Sequence, residues 1–220
     1  MPMDGWGPIA CVLAAAAVSV ATRAMTVRGA AMGVPVGLAL AWGLGWPGFT
    51  MLLAFVLVGT VLSRASARRR GPLQALCNGA VAAAAGIAAI AGFEHAAVVA
   101  AAAIATALSD TLAGEVGQRS GRPRLLLFGP RVARGADGGM TLLGTAAGAV
   151  AAPLVPLVGR LFGAPFSGND VAWIACAAFL GNLADSVIGA FVQPHLGRSG
   201  NDWTNLLATA VGAAIAIFIV

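Results

Sequence analysis

Charge is scarce in this 220-residue chain. Its 13 basic and 8 acidic residues make up 10% of the sequence, where soluble domains carry about 25%. Hydrophobic residues account for 59%, and the mean hydropathy is +0.89. So little polarity cannot cover the surface of a soluble fold of this size, which leaves an integral membrane protein. Lysine is missing altogether: arginine supplies every basic residue. A sequence pI near 10.9 would point to nucleic acid in a soluble protein. Here no basic stripe is interleaved with aromatics, as a strand-binding groove requires, and no nucleic-acid partner is expected. Cysteine is nearly absent as well. Cys11, Cys77 and Cys176 stand singly in apolar segments, with neither a CxxC pair nor a Cys/His cluster, so the sequence supports no zinc site and no disulfide framework. The first residues lack the basic start of a secretory signal and carry Asp4 instead, so the first apolar stretch reads as a retained span.

Long apolar runs are what the chain does have. A helix needs about 20 apolar residues to cross a bilayer. Eight segments qualify or nearly do: Trp6–Thr22, Gly29–Trp46, Phe49–Ser63, Leu73–Phe93, Ala96–Ala113, Met140–Gly159, Val171–Phe191 and Trp203–Val220. The second is glycine-rich and the third short, so the two form either separate spans or a tilted, re-entrant pair. The expectation is an all-α, polytopic transmembrane helix bundle of six to eight spans, eight preferred, forming a single membrane domain. Threading eight spans from an outside N-terminus puts 12 of the 13 arginines in inner loops and leaves only Arg160 outside. That asymmetry satisfies the positive-inside rule. It predicts a bacterial inner (plasma) membrane protein with its chemistry on the cytoplasmic face.

The polar residues gather at the inner ends of these spans. LSDTLAGE, Leu108–Glu115, closes an alanine-rich run, and LADSVIG, Leu183–Gly189, closes another span. Both read LxD[TS]xxG, a weak parallel repeat that would bring Asp110 and Asp185 together. Carboxylates inside a membrane mark a site more often than a structural accident. Asp110 and Gly114 share a helical face, whereas Glu115 lies about 140° from Asp110 and reaches a common ion only if the helix ends or bends near Gly114. Two or three converging carboxylates suit Mg²⁺, a hard cation that keeps waters or substrate phosphates. The metal set is therefore Asp110, Glu115 and Asp185, with Thr111 and Ser186 beside the aspartates.

GPRVARGADGGM, Gly129–Met140, follows the first motif. Arg131 and Arg134 offer paired donors to phosphate oxygens. Gly135, Asp137, Gly138 and Gly139 lead directly into a span whose N-terminus favours anions. It is not a Walker A loop, because no GK[ST] follows. Amides complete the set: Gln74 with Asn78, Asn182 near Asp185, and Asn201 with Asn205, each pair on one helix face, with Arg70 just ahead and Gln193 after the second aspartate.

In this order, Arg70…Gln74…Asn78-Gly79, Asp110-Thr111…Glu115…Gly117, Pro123, Gly135…Gly138-Gly139, Asp185-Ser186…Gly189-Ala190…Gln193 and Asn201…Asn205, the chain resembles the DUF92, or transmembrane protein 19-like, integral membrane family. The resemblance runs from about Arg70 to the C-terminus. Two positions depart from the family pattern, Gly114 in place of a serine and Ala136 in place of a threonine. The family's plant member is a phytyl-phosphate kinase. The resemblance thus implies a kinase that converts a prenyl monophosphate, such as phytyl or geranylgeranyl phosphate, to its diphosphate, with CTP as the donor nucleotide. Two other classes fit the residues: an ion-coupled membrane transporter, which also uses intramembrane carboxylates and repeats, and another lipid-headgroup phosphotransferase, whose DGxxAR…GxxxDxxxD pattern is absent.

Overall fold

The computed structural model describes residues 6–66 and 71–220. Arg68, Arg69, Arg70 and Asp4 lie outside the described residues. The fold is all-α: α1 (Gly7–Ala21), α2 (Val27–Ser66), α3 (Pro72–Ile90), α4 (Ala96–Arg119), α5 (Leu142–Ala151), α6 (Leu154–Leu161), α7 (Gly168–Phe191) and α8 (Gly200–Ile219). The loop before α5 holds a two-stranded antiparallel ribbon, β1 (Arg124–Leu125) paired with β2 (Gly139–Met140).

Six helical stretches are long and apolar enough to cross a membrane, counting α5 and α6 together. The longest, α2, is two helices. Gly45 sits at φ 66°, ψ −145°, backbone open to glycine and strained for any side chain. The chain reverses there, so that Gly48 packs on the Leu40 carbonyl and Gly37 faces Leu52. Each arm, 27–44 and 46–66, is roughly 27–31 Å long at 1.5 Å per residue, the length of a full crossing rather than of a re-entrant dip. With the shorter α1, the apolar segments number eight. One expected helix is interrupted: Pro153, which has no amide hydrogen to donate, separates α5 from α6.

α4 is the axis of the bundle. Every residue from Val98 to Ser109 is buried, and the helix touches α2, α3, α5, α6, α7 and α8. Alanine makes this possible, since small side chains let neighbouring backbones approach closely. Thr106 fits a notch of α7 and α8, where a Cβ added at Gly181 would stand 2.8 Å from its side chain. The Thr106 hydroxyl donates to the Ala102 carbonyl of its own helix at 2.8 Å, so a polar residue sits on the axis with its hydrogen bond made locally. At α7 the start is set by a capping box: the Asp170 amide donates to Ser167 Oγ, and the Ser167 amide donates to Asp170 Oδ2 at 2.7 Å.

The alternation of the helices brings the end of α1, both ends of α2, the start of α3, the end of α4, the start of α5, the end of α7 and the start of α8 to one side of the bundle. Arg23, Arg28, Arg119, Arg122, Arg124, Arg131 and Arg134 stand at that side, and Arg160 at the other.

Candidate functional site

A polar cleft opens at the arginine-rich end, between α4, α5, α7, the start of α8 and the ribbon loop. Its lining includes Asp110, Gly114, Arg134, Asn182, Asp185 and Asn201. Asp110 is on α4 and Asp185 on α7, and their side chains meet within hydrogen-bonding distance. Asp185 Oδ1 is buried and has no hydrogen-bond partner among the described residues. Two carboxylates held this close repel unless a proton or a cation lies between them, and a buried oxygen without a donor has lost its water for nothing in return. The pair that lines the cleft therefore carries a buried acceptor without a donor.

What holds the two aspartates at this separation is a buried relay one step behind them. Asn182 Nδ2 donates to Ser109 Oγ at 2.9 Å. Ser109 Oγ in turn donates to the Gly148 carbonyl at 2.9 Å. Ser109 precedes Asp110 and Asn182 lies three residues before Asp185, so the relay fixes α4, α7 and α5 in register at the level of the pair. Gly148 is required by space: a Cβ there would stand 2.6 Å from Asn182 Nδ2 and 3.1 Å from Ser109 Oγ.

The ribbon loop forms the cleft's other wall. Gly138, at φ 69°, presses on α7, where a Cβ would stand 2.5 Å from Ala190 Cβ and 2.9 Å from the Ser186 carbonyl. Gln193 Nε2 donates to Asp137 Oδ1 at 2.6 Å, and Arg134 Nε donates to the Gly121 carbonyl at 3.2 Å. Thr141 caps α5 by accepting from the Gly144 amide at 3.1 Å and shares a hydrogen bond with Ser120 at 3.0 Å. These contacts hold the loop against α7 and keep Arg134 among the residues that line the cleft.

Of the residues singled out from the sequence, Asp110, Asp185, Arg134, Gly135, Asp137, Gly138, Gly139, Asn182, Ser186, Gln193 and Asn201 share this cleft. The others stand elsewhere. α4 runs straight through Gly114 to Arg119, so Glu115 keeps its place about 140° from Asp110 and pairs with Arg119 at 3.1 Å. Among the described residues, no group of three His, Cys, Asp or Glu side chains gathers; the carboxylates that meet are two. Thr111, one residue and about 100° from Asp110, donates to the Ala107 carbonyl of its own helix at 2.8 Å. Arg131 is exposed, forms a backbone bridge to Arg124 and is not among the residues that line the cleft. Gln74 and Asn78 belong to α3, which is not among the cleft's walls, and Asn78 lines a separate cavity. Asn205 is buried in α8 one turn deeper than Asn201. Arg70 lies outside the described residues.

Ser109, Gly148, Thr141 and Gly144 were not singled out by sequence reasoning. A hydroxyl in a buried alanine run and a threonine ahead of an apolar helix were available signals for Ser109 and Thr141. Nothing local distinguishes Gly148 or Gly144 among the 30 glycines.

The fold and cleft define a polytopic helical membrane protein with a polar site at one end of its bundle. The chain belongs to the family described as integral membrane protein DUF92, whose pattern matches residues 10–213. The match begins well upstream of Arg70 and takes in α1 and α2. Membrane protein MJ0933 of Methanocaldococcus jannaschii is 34% identical over 198 residues, covering 83% of this chain and 80% of that protein. Membrane protein sll0875 of Synechocystis is 31% identical over 194 residues, covering 80% and 75%. Protein VTE6, chloroplastic, of Arabidopsis thaliana is 32% identical over 117 residues, covering 52% of this chain and 35% of VTE6. No solved structure matches.

Proposed function

We propose that the chain is a prenyl-phosphate kinase that transfers a phosphoryl group from a nucleotide, CTP by the family resemblance, to a prenyl monophosphate. The observation that carries this reading is the Asp110–Asp185 pair with its unpartnered Oδ1, set beside a glycine loop and Arg134. Phosphoryl transfer asks for little covalent work from the protein and much positioning of charge. The two carboxylates and the orphaned oxygen fit Mg²⁺, which accepts a few carboxylates and fills its remaining sites with water or phosphate oxygens. When bound, such an ion would neutralise charge on the transferred group.

The chain's own residues divide the remaining work. The backbone at Gly135–Gly139 and the Arg134 guanidinium would bind phosphate oxygens. The Gln193–Asp137 hydrogen bond holds that loop against α7. Asn182, through Ser109, keeps Asp185 at its distance from Asp110. A phosphate oxygen of the prenyl monophosphate then attacks the nucleotide's γ-phosphorus. The bond from that phosphorus to the β-phosphate oxygen breaks, giving prenyl diphosphate and a nucleoside diphosphate. The prenyl tail would remain among the small-residue helices, and the positive-inside rule supports a cleft that faces the cytoplasm. A carrier would need its polar site accessible from both sides. Carrier sites also lie near the bilayer midplane; this cleft lies at one end of the bundle, and that favours transfer.

The test is direct. Purified protein in nanodiscs is supplied with phytyl, farnesyl or geranylgeranyl phosphate, one of CTP, ATP, GTP or UTP, and Mg²⁺, and the lipids are analysed by mass spectrometry. The expected result is diphosphate formation that falls about 100-fold or more in Asp110→Asn and Asp185→Asn, the scale of losing a charge-stabilising group at a transition state. Transfer from none of the four nucleotides overturns the proposal.

A further inference from the structure

A second cavity lies between α1, the two arms of α2 and α3, with Ile104 of α4 at its back. Ile104 and Asp110 are six residues apart and face directions about 120° apart on the helix, so they point to different sides of α4. Its walls are apolar, including Val12, Leu52 and Phe55. Two lining residues carry polar side chains. Ser19 spends its hydroxyl on its own helix, donating to the Ala15 carbonyl at 2.8 Å. Asn78 does not. It is 7% exposed, and its Oδ1 has no partner among the described residues.

A buried amide oxygen left unpaired has given up hydration without replacement. Water does not resolve this, because an ordered water needs two to four polar partners and apolar cavities stay dry. The donor must arrive on a molecule whose body suits apolar walls. A carboxylate or phosphate ester brings negative charge, and an ammonium brings positive charge, into walls that hold no counter-ion among the described residues. A neutral hydroxyl on an aliphatic chain meets both demands.

We propose that this cavity is a binding site for a long-chain neutral alcohol, its hydroxyl donating to Asn78 Oδ1 and its chain lying against the walls of α1 and α2. The site is independent of the chemistry in the cleft and stands whether or not the cleft transfers phosphate.

The probe is hexadecanol bearing a chain diazirine, with its methyl ether as the matched control, applied to the full chain in phosphatidylcholine nanodiscs. The alcohol should label peptides of α1, α2 and α3, and unlabelled hexadecanol should compete. The ether, which lacks the donor, should label about tenfold less, the value of one neutral hydrogen bond. Asn78→Leu should erase the preference for alcohol over ether while holding or raising Tm, because it replaces an orphaned acceptor with an apolar group. Gly33→Leu should block both probes: a Cβ at Gly33 has Met25 Cε at 3.8 Å as its nearest neighbour, so the added side chain enters the cavity. Equal labelling by alcohol and ether in the wild type overturns the proposal, as does labelling spread over all helices. So does an Asn78→Leu protein that loses several degrees of Tm yet keeps the alcohol preference, since Asn78 would then be a packing residue.

Discussion

Ser109 shows how one hydroxyl can decide the geometry of two carboxylates on different helices. It receives from Asn182 and gives to Gly148, so three helices share one atom. Ser109→Ala removes that atom and strands the Asn182 amide. A cost of about 1–3 kcal/mol is expected, the range for an unsatisfied buried polar group, read as a fall in thermal stability. Gly148→Ala should cost at least as much, because its methyl needs the space now held by Asn182 Nδ2. Both changes should weaken the proposed phosphoryl transfer beyond their effect on stability, since the Asp110–Asp185 separation moves with the relay. Gly114 is the reverse case. It lines the cleft with nothing within 4 Å of an added Cβ. Gly114→Ser, which restores the family's hydroxyl, should leave Tm unchanged or higher, given that glycine is among the poorest helix formers. A clear drop in Tm would show that the open space is filled in the membrane.

Among the elements, the ribbon loop carries the sharpest contrast. Gly135 and Gly138 both have positive φ, 80° and 69°, and differ in their surroundings. An alanine at 135 meets nothing within 4 Å, whereas at 138 it collides with Ala190 and the Ser186 carbonyl. Gly135→Ala should therefore cost only the left-handed backbone penalty, about 1–2 kcal/mol. Gly138→Ala should cost more and should lift the loop from α7, exposing 124–140 to limited proteolysis. Equal protection of the two variants would refute the docking of this loop. The spacing of glycines before a span pointed to a phosphate-binding loop. It did not reveal which glycine is needed for conformation and which for packing, because that depends on α7, some fifty residues away. Glu115 teaches the same lesson: its position relative to Asp110 was readable from helical periodicity, but whether α4 bends at Gly114 was not. The helix stays straight, and Glu115 pairs with Arg119.

For the whole molecule, the arrangement makes a prediction about sides. Single cysteines introduced at Gly129 and Gly163 into a background with Cys11, Cys77 and Cys176 replaced should label from opposite faces of sealed vesicles with an impermeant maleimide. Gly129 is at the arginine-rich end and Gly163 at the end that carries Arg160. Labelling from the same face would require α5 and α6 to turn back together rather than cross. The fold of α2 at Gly45 is part of the same scheme: if its arms formed one continuous helix, every later element would change sides, and Arg23 and Arg28 would part from the cleft and from the arginines that follow α2.

Composition and periodicity were enough to establish an all-α membrane bundle, its apolar segments and the polarity of its ends, because span length and arginine placement are local and additive along the chain. The ordered motifs likewise carried family membership. Tertiary structure decided which polar residues share a space. Asn78, Asn205 and Glu115 look like the cleft residues in sequence, with the same residue types near the ends of spans. They stand apart because α3 is not a wall of the cleft, Asn205 lies one turn deeper in α8 than Asn201, and α4 runs straight past Gly114. A side chain's angle around a helix axis follows from the residues it packs against, and those contacts come from distant parts of the chain.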